Sequence, residues 1–165
     1  MTTTPPISPW LARLTRTGFW AAVLGGLLLP WGIMLGVDYL VRGVPWLQSW
    51  YTFTLHLFAP GYNLFLVGLL TAVPFIALAL TILLHLGKAP IVPAHIPRQR
   101  AYGIACASVV MVALATWTHI EVLVHPDAQG ALAYFFLPVW LLCALPVGYA
   151  LGRLAARWLV PGSAE

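Results

Sequence analysis

His119, Glu121, His125 and Asp127 crowd into one short stretch of the chain. Neutral imidazole and carboxylate both bind divalent metals, and histidine titrates close to neutral pH. Asp38 and His56 are plausible additions, so the group outlines a metal site, or a pH-sensitive surface, at one membrane boundary. Spacing weakens the metal reading. Glu121 and His125 lie one helical turn apart and share a face, whereas His119 and Glu121 are about 200° apart around a helix. Neither H-x-x-x-H nor H-E-x-x-H occurs. The simpler expectation is a helix exit wetted by water and headgroups, with no metal held.

Haem would need two histidines at matching depth on facing helices, or one with a different axial partner. His85 and His119 fall near opposite boundaries, which leaves His56 with His119 as the open pair. His95 reads as a solvated loop residue. Cys106 and Cys143 sit in apolar stretches without CxxC spacing, so they are small packing residues, and the paired cysteines of membrane thiol oxidoreductases are missing. Of the eight tryptophans, Trp10, Trp20, Trp46, Trp50, Trp117 and Trp158 fall near helix boundaries as interfacial anchors. Trp31 and Trp140 lie deeper, beside Pro30 and Pro138, and are the candidates to edge a cavity for a lipid, quinone or pigment. Packing against neighbouring helices is the alternative for both. No cofactor is expected.

The elements that must position these residues follow from composition. The chain has 165 residues, of which 61% are hydrophobic and 7% charged, against roughly 25% charged in a soluble domain. A bilayer core about 30 Å thick takes roughly 20 helical residues to cross. Four crossings with short connections therefore fill the chain as a single transmembrane domain over 1–165. The spacing predicts an all-α, four-transmembrane-helix bundle with spans at about 17–41, 62–86, 101–124 and 130–154. Residues 46–58 are too few to cross. Read as a helix, they place Trp46, Trp50, Phe53 and Leu57 on one face and Gln48, Thr52 and His56 on the other, as in a helix lying in the interface. The alternation of Tyr51, Phe53, Leu55 and Leu57 with Thr52, Thr54 and His56 also suits a strand. An isolated strand would leave its backbone unpaired at membrane depth, which favours the interfacial helix. Pro90, Pro93 and Pro97 predict a stiff basic loop between Gly87 and Arg100.

Basic residues collect in short cytoplasmic loops. With the N-terminus inside, Arg13, Arg16, Lys88, Arg98, Arg100, Arg153 and Arg157 are cytoplasmic, seven of the eight, and only Arg42 is outside. Arg42 follows Asp38 by one helical turn, where the two can pair at a helix end. The basic residues form no contiguous run of the kind that tracks nucleic acid. Charge bias and the lack of an evident targeting segment suit a bacterial inner membrane with both termini cytoplasmic.

No charged residue falls near the centre of a span, which weakens a proton pump, a voltage sensor or a carrier of charged substrates. Small-xxx-small ladders recur at Gly18, Ala22 and Gly26, at Gly32 and Gly36, at Gly103 and Ala107, and at Gly148 and Gly152. Such spacing lets helix backbones approach closely, within one chain or against a second copy or partner. The leading expectation is a non-catalytic accessory or assembly subunit in contact with lipid and with other membrane proteins or copies of itself. A small oligomeric transporter or lipid- or quinone-binding protein, and a metal- or haem-dependent redox protein, are the alternatives.

Overall fold

An apolar solvent offers the backbone no hydrogen bonds, so an uncharged segment satisfies its own N–H and C=O groups by coiling. The computed structural model describes residues 9–60, 63–87, 95–126 and 130–159, and every element among them is helical. Helices α1 (Pro9–Gly36), α3 (Leu64–Leu86), α4 (His95–Val124) and α5 (Gly130–Leu159) are each long and apolar enough to cross a membrane. The short α2 (Trp46–His56) joins the first crossing to the second. The chain is a four-helix membrane bundle.

Two helices start earlier than the charge pattern implies. Helix α1 begins at Pro9 rather than Thr17, and the added turns bury Leu11 and Thr15. Proline at a first helical position loses only an N–H that has no intrahelical partner there. The same reasoning applies to α4, which begins at His95 and carries Pro97 in its first turn. Part of the expected basic loop is therefore helix, and residues 88–94 of that loop lie outside the described residues.

Helix α1 ends in a π-helical turn, Val37–Val41, where the Arg42 N–H donates to the Val37 carbonyl at 3.0 Å. Gly43 then takes φ +66°, a left-handed turn that costs a residue without Cβ little. The reversal lays α2 against the end of the bundle. Its inward edge is Ser49 and Phe53, with Thr52, His56 and Leu57 half-buried beside them, while Trp46 and Trp50 are exposed. The helix is as expected, but its aromatic face is divided: Phe53 packs inward, whereas Trp46 and Trp50 turn away from the other helices. Lipid can cover the indoles, whereas the polar atoms of Ser49 need protein partners, which the Val44 and Pro45 carbonyls supply at 3.4 Å each. The strand reading of 46–58 does not apply.

Helix α1 packs chiefly along α3, and α4 chiefly along α5. Contacts of α3 with α4 and α5, and of α1 with α4, join the two pairs. The section is a diamond whose far corners are α1 and α5. Half of the α3 span is buried, against 22–28% for the other three, so α3 is the hub.

Small residues set the two tight seams. A Cβ on Gly26 would lie 2.5 Å from Cβ of Phe75, which fixes the α1–α3 approach. On α5, a Cβ at Gly148 would come within 2.7 Å of the Ala107 Cα, and one at Gly152 within 2.8 Å of the Gly103 Cα. The core between these seams includes Phe75, Leu78, Ala79, Met111 and Leu141. A smaller cluster under α2 holds Met34, Phe53 and Leu64.

Candidate functional site

The polar groups of the bundle gather at its two ends. At the end that bears α2, Asp38 is buried, and its Oδ1 accepts from Arg42 Nη1 at 2.7 Å. The expected helix-end pair forms. Its second half has no sequence signal: Arg42 Nη2 donates to the Leu123 carbonyl at 2.6 Å, in the last turn of α4. Carbonyls of a final helical turn have no intrahelical donor, and arginine satisfies them while complementing the helix dipole. One guanidinium thus joins the end of α1 to the end of α4.

Deeper at the same end, His119 is 1% exposed and enclosed by α3, α4 and α5. Its Nδ1 is 2.7 Å from the Ala115 carbonyl and its Nε2 is 3.4 Å from Thr71 Oγ1. The ring also packs on Tyr134, with centroids 5.2 Å apart. A carbonyl only accepts, so Nδ1 carries the proton, and Nε2 of a neutral ring is an acceptor. The Thr71 hydroxyl faces two acceptors, Nε2 and the Val67 carbonyl at 2.9 Å. The shorter contact is to the carbonyl. Thr15, Thr81, Ser108 and Thr118 likewise donate to the carbonyl four residues back, which is how hydroxyls are satisfied inside apolar helices.

The residues singled out in the sequence are therefore dispersed. Glu121 and His125 meet at 3.1 Å on an exposed surface. His119 turns inward with both nitrogens facing protein atoms. His56 is half-buried at the end of α2, and Asp127 lies outside the described residues. Among the described residues, no three His, Cys, Asp or Glu side chains converge as they would around a metal ion. Glu121 and His125 instead border an open groove of about 350 Å³ between α4 and α5, with Phe136 and Trp140 on its apolar wall. Trp31 belongs elsewhere. Its Nε1 donates to the Leu64 carbonyl at 3.0 Å, and its ring meets Phe53 edge-on at 5.9 Å. Glycine at 68 eases that contact, because a Cβ there would lie 3.0 Å from the indole nitrogen and 3.1 Å from the Leu27 carbonyl oxygen. Trp31 thus locks α1 to α2 and α3, while Trp140 lines a groove on another side.

The opposite end is basic. Arg100 Nη1 donates to the His85 carbonyl at 3.1 Å, in the last turn of α3, repeating the device of Arg42. The His85 ring packs on Tyr149 at 5.0 Å, and the Arg153 guanidinium carbon lies 6.0 Å from the centre of that ring. Sequence reasoning found these basic residues as topology signals and passed over Tyr149. The nearest clue was Gly103, whose lack of a side chain makes room for Tyr149 and Arg153.

Four apolar crossings, tied to one another by the side-chain hydrogen bonds of Trp31, Arg42 and Arg100, define a polytopic α-helical membrane protein. No family model, curated protein or solved structure matches the chain.

Proposed function

We propose that this protein is a non-catalytic accessory or assembly subunit that packs against other membrane helices, with both termini in the cytoplasm of a bacterial cell and the bundle in its inner membrane. One observation carries the packing reading. Gly25, Gly32 and Gly36 share a face of α1, and a Cβ at any of them would meet nothing within 4 Å. The other ladders are consumed by the α1–α3 and α4–α5 seams, and this one is left open. Lipid gains nothing from a glycine row, whereas a second helix gains close backbone contact. The polar arrangement supports the same reading, because Arg42, His119 and Trp31 each serve a contact between helices.

Orientation rests on the seven-to-one sorting of basic residues. The packing proposal is tested by purification from native membranes in mild detergent. A stoichiometric membrane partner or a second copy should copurify with the native chain and be lost on Gly32→Ile, which leaves the bundle itself unobstructed. A native chain that runs alone at every detergent concentration overturns the reading.

A further inference from the structure

The geometry points to the groove between the end of α4 and the start of α5 as a site for a membrane lipid with a primary ammonium headgroup, of the phosphatidylethanolamine class. Glu121, held by His125, takes the ammonium, and Phe136 and Trp140 support the acyl chain.

The groove is open and encloses about 350 Å³, the size of a small ligand cleft. Glu121 and His125 form its polar mouth, and their side chains are 55% and 70% exposed, so a ligand can reach both. The two meet at 3.1 Å through His125 Nδ1 and Glu121 Oε1. A carboxylate only accepts, so Nδ1 carries the proton in that contact. The imidazole therefore steadies the acid through one oxygen. Oε2 is the acceptor that the site offers to a ligand.

The surroundings favour a cation there. Among the described residues no Lys or Arg lines the groove, and Arg42, the arginine at this end, is engaged by Asp38 and the Leu123 carbonyl. The mouth also lies at the C-terminal end of α4, where the helix dipole is negative. The complement is a cation with N–H groups to donate, because a hydrogen bond between charged partners is roughly twice as strong as a neutral one. An anionic headgroup would meet Glu121 with like charge.

The apolar wall assigns that cation to a lipid. Leu132, Phe136 and Trp140 recur every fourth residue on one face of α5, so apolar surface descends from the polar mouth toward the middle of the span. All three are exposed, and the rings of Phe136 and Trp140 lie 22° from parallel, as one continuous strip. Charge at the helix end with an apolar strip below it matches an amphiphile standing in one leaflet, its head where spans leave the hydrocarbon. A water-soluble amine would use the mouth and leave the strip uncovered.

The test uses the full chain in nanodiscs and in detergent. With three lipids supplied equally, native mass spectrometry should show phosphatidylethanolamine retained over phosphatidylcholine, which has the positive charge without an N–H. It should also be retained over phosphatidylglycerol, which has no cation. Glu121→Gln keeps the shape and removes the charge. It should cut phosphatidylethanolamine retention roughly tenfold, the lower end of what a hydrogen bond to a charged group contributes. Trp140→Ala should weaken retention while leaving the preference among headgroups. Both side chains are exposed, so thermal unfolding of the two variants should match that of the native chain. Arg98→Gln, at the basic end, is the control for lipid held elsewhere and should change nothing. Equal retention of the three lipids, a preference that survives Glu121→Gln, or equal losses from Arg98→Gln and Glu121→Gln overturns the site. Glycerophosphoethanolamine, the same headgroup without acyl chains, should not compete, and displacement of the lipid by an equal concentration of it overturns the assignment to lipid.

Discussion

Arg42 is the residue on which most depends at the α2 end, because it serves a buried carboxylate and a helix terminus together. Its own side chain is 45% exposed while that of Asp38 is 6% exposed, so the cost of removing it falls on the acid. Arg42→Ala should lower stability by about 2–3 kcal/mol, less than for a fully buried pair because water can reach the site. Pairing it with Asp38→Asn should recover much of the loss, since the stranded charge is gone. Thermal unfolding of the two variants in one detergent checks this, and a double variant no better than the single would show that Leu123 capping dominates. The Asp38–Arg42 pair was legible from its four-residue spacing. Its link to Leu123 was not, because nothing local connects positions so far apart in the chain.

Among the elements, the glycine ladders show what spacing can and cannot convey. Gly26, Gly148 and Gly152 sit in seams where a Cβ would collide, whereas Gly25, Gly32 and Gly36 face open space. The sequence pattern is the same in each case. Only the neighbouring helix distinguishes them, and the identity of that neighbour is a long-range fact. Gly152→Ala should cost about 1–3 kcal/mol, because its Cβ would lie 2.5 Å from the Tyr102 carbonyl oxygen and backbone cannot yield as a side chain does. Gly32→Ala should leave the isolated bundle unchanged or slightly firmer, as alanine is the better helix former. Unfolding curves of the two variants in the same detergent settle the contrast. Helix α2 shows a related limit. Its period marked it as amphipathic, but whether the aromatic or the polar edge faces protein depends on what lies beyond the aromatic one. The edge between the two is the one that faces protein, with Ser49 and Phe53 buried and the indoles of Trp46 and Trp50 left to lipid.

For the whole molecule, composition made the four crossings visible, since so few charges interrupt so long an apolar chain. The arrangement of the helices was not visible. A diamond with α3 and α4 on the short diagonal and a square with equal contacts have the same hydropathy profile. Contacts between helices separate them, since α3 and α4 each meet the other three spans while α1 and α5 stand apart. Orientation remains a property of charge distribution, and it makes its own prediction. In a chain with Cys106 and Cys143 replaced by alanine, a cysteine at Glu121 should react with an impermeant maleimide added to intact cells. One at Arg98 should react only after the membrane is opened. The reverse pattern would invert the topology.

The bond from Arg42 to Leu123 also has a bearing on the order of synthesis. Helix α1 leaves the ribosome long before α4 exists, so the guanidinium that its final turn presents waits through two further insertions for its carbonyl. Closure of the α2 end is therefore a late event in biogenesis, and a nascent chain truncated before Leu123 holds an arginine with half of its work undone.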